Sequence, residues 1–152
     1  MKKEKNLEKK ALELLNKTHL KRTPGRIALL QLLLEAKNPL TKQEISAKLT
    51  KVQMDSVSIY RSLEAFHRAG IVHKVEAGDR NWRFAVCSCG SSKHCHPHFI
   101  CRLCGKVECL EGSALPEALS IKPGYAVEEQ ELYLRGLCDR CFLREKSPPK
   151  SG

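Results

Sequence analysis

Residues 55–86 read DSVSIYRSLEAFHRAGIVHKVEAGDRNWRFAV, and this stretch decides the fold. Ile59, Leu63 and Phe66 recur at helical spacing behind Asp55 or Ser56, either of which can cap a helix start, and Gly70 stops the pattern after Ala69. Residues 71–75 and 82–86 then read as two strands joined by the turn-rich EAGDRN of 76–81. A helix that buries Ile59, Leu63 and Phe66 turns Ser58, Arg61 and part of Tyr60 outward.

Upstream, Leu7, Ala11, Leu14 and Leu15 recur at helical spacing among Glu and Lys, which predicts a first amphipathic helix. Thr23-Pro24 supplies a hydroxyl N-cap and a proline at the first helical position, and Ile27, Leu30, Leu33 and Leu34 line one face. Asn38-Pro39 ends that helix. Thr41 with Glu44 forms a capping box that opens a short third helix whose Ile45 and Leu49 can face inward. Helices followed by a basic two-stranded ribbon make the outline of a winged helix-turn-helix. In that geometry one helix enters the DNA major groove and flanking cations meet phosphates. Ser58, Tyr60 and Arg61 are expected at the DNA, with Arg22, Arg26 and Arg80 as phosphate contacts. The blander alternative makes Tyr60 a core aromatic and the arginines a solvated face.

Charge supports the first reading. The 152 residues carry 27 Lys and Arg against 17 Asp and Glu, a formal net charge of +10, which points to a polyanionic partner, nucleic acid before membrane. Residues 1–83 hold 18 of the basic and 9 of the acidic residues, so nearly all the excess lies there. All eight cysteines fall in the second half. Residues 1–20 have no uninterrupted apolar core, and no stretch approaches the ~20 apolar residues of a membrane helix. A cytoplasmic protein is expected, with clustered cysteines for metal or redox chemistry rather than for structural disulfides.

Cys101-Arg-Leu-Cys104 and Cys138-Asp-Arg-Cys141 are two CxxC pairs with 33 residues between them. Tetrahedral Zn²⁺ takes four thiolates at ~2.3 Å, and each turn can offer two, so a structural zinc is expected on these four cysteines. A dithiol redox pair is the rival, disfavoured because neither pair reads as the start of a helix after a strand. Cys87, Cys89, Cys95 and Cys109 lie near His94, His96 and His98, with His73 in the hairpin. Imidazole and thiolate suit Zn²⁺ better than Fe²⁺ or Mn²⁺. In a strand the three histidines would point one way, two to a metal and one behind it. His19 and His67 read as structural. Enzyme chemistry is not expected: the HxE of zinc deaminases and the HExxH of metalloproteases are both absent, and the stretch is His96-Pro97-His98.

The ordered set Thr23-Pro24-Gly25-Arg26, Val57-Ser58-Ile59-Tyr60-Arg61-Ser62-Leu63, Ala69-Gly70-Ile71-Val72, the histidine run into Phe99-Ile100-Cys101-Arg102-Leu103-Cys104-Gly105-Lys106-Val107, and Gly136-Leu137-Cys138 resembles the ferric uptake regulator family of metal-responsive repressors. The resemblance spans about residues 10–142. It implies an α+β chain: a winged-helix DNA-binding domain at 1–83, a small α/β dimerisation domain at 84–145 with the four-cysteine zinc site, and a flexible tail at 146–152. It further implies a homodimer on double-stranded DNA with a palindromic operator, and a regulatory metal near the hinge.

Departures from the family pattern point to its zinc-sensing branch. Asn38-Pro39 stands where iron- and peroxide-sensing members place a histidine, and Ala85 aligns with their strand carboxylate. Val72-His73-Lys74-Val75-Glu76 and Cys87 resemble the zinc-sensing members, His94 falls on the family histidine seven residues before the CxxC, and Cys109 falls on a position that is usually Glu. His96 and His98 match the His-x-His of the iron-type site, and Gln130 stands at a further family histidine position. The resemblance implies regulatory zinc on His73, Cys87, His94 and Cys109, with His96, His98 or Cys89 as substitutes. An iron- or peroxide-sensing repressor and a redox-switched zinc thiol protein are the alternatives.

Overall fold

The computed structural model describes residues 1–87, 96–112, 122–128 and 130–146. Two compact units part between residues 94 and 95.

The first unit is built by caps and an apolar centre. Helix α1 (Lys2–Lys17) buries Ala11 and Leu15. Helix α2 (Pro24–Glu35) begins where the Thr23 hydroxyl accepts a hydrogen bond from the Arg26 amide, with Pro24 at the first turn. A two-residue strand β1 (Leu40–Thr41) leads into helix α3 (Lys42–Lys48), whose capping box of Thr41 and Glu44 is complete. Such a box contributes about 1 kcal/mol to a helix of only about two turns. Helix α4 (Ser56–Arg68) is capped by the Asp55 carboxylate, which accepts from the Ser58 amide. Gly70 follows at φ 73, a conformation that costs glycine nothing and ends the helix. Strands β2 (Val72–Glu76) and β3 (Trp82–Val86) form the expected hairpin, and β1 joins it in the order β1-β3-β2, all antiparallel.

Leu15, Leu29, Leu30, Ile45, Ile59, Leu63 and Phe66 are buried in one cluster. Each such side chain contributes about 1.5–3 kcal/mol on leaving water. The face expected on α2 is shifted: Ala28, Leu29, Leu30 and Leu33 are buried, while Ile27 and Leu34 are only partly so. The helix is apolar nearly all round and central, so periodicity alone does not choose its face. Strand β3 runs past residue 83 to Val86, so strand pairing carries the head's sheet beyond the point where charge composition changes.

The second unit contains β4 (His98–Cys101), β5 (Val107–Cys109), β6 (Tyr133–Gly136) and α5 (Asp139–Lys146). The sheet order is β5-β4-β6, with β4 antiparallel to β5 and parallel to β6. Gly105, at φ 71, closes the β4–β5 turn by donating its amide to the Cys101 carbonyl at 3.0 Å. The tail expected at 146–152 lies outside the described residues, apart from Lys146 at the end of α5.

Candidate metal centres and nucleic-acid interface

The two CxxC turns meet in the second unit. Cys101 ends β4, Cys104 lies in the β4–β5 turn, and Cys138 and Cys141 flank the start of α5. Their four Sγ atoms lie within 4.8 Å of one another, and Cys104 and Cys138 Sγ are 3.7 Å apart. Thiolates at ~2.3 Å on a tetrahedral Zn²⁺ sit about 3.8 Å from each other, so the spacing fits that ion. Backbone amides at Cys104 and Cys138 hold the Cys101 thiol down to about 6, and the Cys138 amide lies 3.4 Å from Cys101 Sγ. Burial and the neighbouring thiols push Cys141 up to about 12. One pocket thus favours a first thiolate and resists the last, and a divalent cation is the group that would let all four ionise.

The expectation that neither CxxC pair starts a helix after a strand does not hold for Cys138 and Cys141. Cys138 immediately precedes α5 and follows β6, so the second CxxC does sit at a helix start after a strand. What sets it apart from a dithiol pair is the other two sulfurs, which close a four-thiol cluster around it.

A second donor group lies on the same sheet. His98 is paired with Cys109 across β4 and β5, and His96, two residues earlier, shares its side of the chain. One ligand atom from each of His96, His98 and Cys109 falls within a 4.8 Å spread. The two imidazole rings are 4.9 Å apart, and His98 is 6.0 Å from the Tyr133 ring. Both histidines are buried. In the first unit, His73 pairs with Ala85, and Cys87 lies two residues further along, so His73 and Cys87 share one face of the hairpin. The opposite face, with Val72, Phe84 and Val86, packs into the head core. His94 and Cys89 lie outside the described residues. His67 Nδ1 lies 3.3 Å from the Val72 carbonyl, and His19 takes φ 56 beyond the end of α1.

The cationic residues of the head border two grooves. One, of about 530 Å³, runs between the starts of α2 and α4 and is lined by Lys21, Arg26, Ser58 and Arg61 among others. Arg61 and Arg22 are exposed, and Arg26 donates to the Lys21 carbonyl at 3.3 Å. The Ser58 hydroxyl donates to the Asp55 carboxylate at 2.9 Å, so it also serves the α4 cap. Tyr60 is half exposed, which excludes the core alternative for its ring. It faces a second groove, of about 490 Å³, with Arg80. Lys42 and Trp82 line that groove too. Sequence reading passes over both, although a tryptophan at a strand start beside a basic turn is an available signal.

Arg80 itself takes φ 63, an unusual conformation for a side-chain-bearing residue. The turn is braced by Asp79, which accepts hydrogen bonds of 2.8 and 3.0 Å from the Arg83 guanidinium and 3.2 Å from the Asn81 amide. The Arg83 bonds hold the Asp79 carboxyl well below the usual carboxylate range. A depressed folded-state pKa means that this bracing is fully present above the ordinary value of 3.8 and is lost as pH falls through the folded value. The Asp79 carboxylate remains substantially exposed while the Arg83 side chain is mostly covered, so solvent still screens the pair and its effect is local. Asp79→Asn is expected to speed exchange of the Asn81 amide a few-fold at neutral pH, and acid should bring the wild type toward the variant. Hydrogen exchange followed by NMR checks both.

A winged-helix head with cationic grooves, joined to a unit that carries two clusters of metal-ligand side chains, defines a metal-binding regulator directed at DNA. Comparison with known proteins agrees. Residues 17–134 match the model of the ferric uptake regulator family. The peroxide operon regulator of Bacillus subtilis (strain 168) is 29% identical over 142 residues, covering 90% of this chain and 94% of that protein. The zinc uptake regulation protein of Escherichia coli (strain K12) is 29% identical over 125 residues, covering 78% and 71%. A zinc uptake regulator solved with zinc and DNA superposes with a TM-score of 0.73 at 23% identity, covering 95% of this chain and 98% of that one. The chain belongs to the ferric uptake regulator family, a family of DNA-binding, metal-responsive repressors and not of enzymes. No helix among the described residues is long and apolar enough to cross a membrane.

Proposed function

We propose that this protein is a zinc-responsive repressor that controls zinc-uptake genes in the cytoplasm. The observation that carries the reading is the donor set of the second cluster, where Cys109 and two histidines come together and, among the described residues, no carboxylate joins them. Sulfur and imidazole donors suit zinc, whereas Fe²⁺ and Mn²⁺ sites draw on carboxylate.

Cys101, Cys104, Cys138 and Cys141 hold the structural zinc in this proposal. The regulatory donors are His96, His98 and Cys109 from the body and His73 and Cys87 from the hairpin, with His94 and Cys89 as the remaining candidates. Bound at its ligands, zinc supplies coordinative restraint. The hairpin donors lie on the face of the sheet opposite α4's packing face, so holding them restrains the wing while Tyr60 and Arg61 remain available to DNA. A homodimer presents two such heads, and the matching operator is palindromic because its half-sites follow the two-fold symmetry of the protein. Only dimers with correctly spaced heads gain both half-sites, so a ligand that favours that state raises affinity by linkage.

The test is a titration of zinc and of iron(II) into metal-stripped protein, with affinity read on a duplex selected from a random-sequence pool. Zinc should raise affinity by about 100-fold, within the usual range of allosteric coupling. Equal affinity with and without zinc sinks the proposal. The likeness to the peroxide operon regulator supports the rival reading, and a response to iron(II) at lower free concentration than to zinc would favour it.

A further inference from the structure

The second groove of the head holds a residue that the family resemblance does not account for. Trp82 opens β3 at the base of the wing turn and is 52% exposed, an unusual setting for the most costly apolar side chain to leave in water. Its ring is positioned by Lys74, whose Nζ lies 5.8 Å from the ring centroid while pairing with Glu64. Tyr60 of α4, 49% exposed, lines the same groove, with Lys42 Nζ 5.7 Å from its ring. Arg80 adds a second cation, and no Asp or Glu is among the residues that line the groove. The groove therefore combines two exposed aromatic rings with positive charge and no negative charge. An isolated apolar docking site would not need the cations, and a bare phosphate site would not need the rings.

We propose that Trp82 is a DNA-contacting residue, packing its indole against the sugar and base edge of the strand that runs between α4 and the wing. The inference rests on the DNA-binding reading and extends it. Apolar packing on a nucleotide contributes affinity without displacing a counterion, whereas a phosphate-bound cation contributes through counterion release. The two kinds of contact are separable by salt.

Trp82 is the only tryptophan in the chain, so its emission reports on this position alone. Zinc-loaded full-length protein is titrated with an unlabelled duplex selected from a random pool, following tryptophan emission, and with a fluorescein-labelled copy, following anisotropy. Saturating DNA should quench or shift the emission. Trp82→Ala should weaken binding about tenfold, a size typical of aromatic contacts to nucleotides, and leave the slope of log affinity against log salt unchanged. Arg80→Ala should lower that slope by about 0.9. Trp82→Phe, which keeps an aromatic ring, should recover most of the loss and guards against misfolding of the alanine variant. Anisotropy that rises while emission stays constant overturns the assignment, as does full affinity in Trp82→Ala. No anisotropy change in the wild type at low salt would instead overturn the DNA-binding reading, and this inference with it.

Discussion

Cys138→Ser is expected to release one zinc per chain and to melt the second unit while the first remains folded. The reason lies in what surrounds the four sulfurs. Among the described residues, its cluster around the zinc ligands consists of Cys101, Cys138 and Cys141 with Phe99 and Leu137 packed against them. Structural zinc in small domains contributes about 10–16 kcal/mol of folding free energy, comparable to or larger than the ~5–15 kcal/mol that separates most folded domains from unfolding. Losing one of four thiolates also leaves three sulfurs crowded within 4.8 Å. Two of these, Cys101 and Cys141, are already driven in opposite directions, down to about 6 and up to about 12. Cys104 is exposed whereas Cys138 is buried, so Cys104→Ser, which water can partly replace as a ligand, should cost less. Metal content after dialysis and thermal unfolding by circular dichroism test this. Cys138→Ser that keeps its full zinc content and a wild-type melt would show that the four-thiol cluster has no structural role.

Local chemistry is the legible part of this fold. The caps at Thr23 and Thr41 follow from a hydroxyl and its partners within three residues, and the hairpin of β2 and β3 follows from two apolar runs flanking a polar turn. Where two residues could serve the same local role, as at Asp55 and Ser56, only the hydrogen bond to the Ser58 amide decides. Strand β1 escapes a sequence reading because two residues carry no periodicity. The parallel pairing of β4 with β6 joins segments more than thirty residues apart, His98 with Tyr133, and nothing in either segment names its partner. The same limit applies to the metal donors. Residue type singles out seven regulatory candidates, but it is the register of β4 against β5 that places His98 opposite Cys109 and brings His96 beside them. The start of α5 at Asp139 is hidden for a related reason, since no strong cap precedes it in the sequence.

His98→Ala should abolish the zinc-dependent rise in DNA affinity while leaving the metal-free affinity and the zinc on the four cysteines in place. His98 is 1% exposed, is paired opposite Cys109 and lies beside His96, their ligand atoms within a 4.8 Å spread. Losing this buried imidazole removes the donor paired directly opposite Cys109 and beside His96, so the remaining donors hold the ion too weakly to couple it to DNA at zinc levels that saturate the wild type. If zinc raises affinity about 100-fold by favouring the state with correctly spaced heads, that coupling amounts to nearly 3 kcal/mol, and linkage requires DNA to tighten zinc binding by the same factor. Both faces of the coupling should vanish together in His98→Ala. Cys109→Asp makes the complementary test, since exchanging thiolate for carboxylate keeps a charged ligand and changes only its softness. That variant should remain metal-responsive but require more zinc relative to iron(II) than the wild type. A wild-type zinc response in His98→Ala, with one zinc still bound at the cysteines, would mean that sensing resides elsewhere in the chain. Loss of response together with loss of the structural zinc would mean that the two sites are not separable, and would overturn the division into four structural thiols and an independent sensing group.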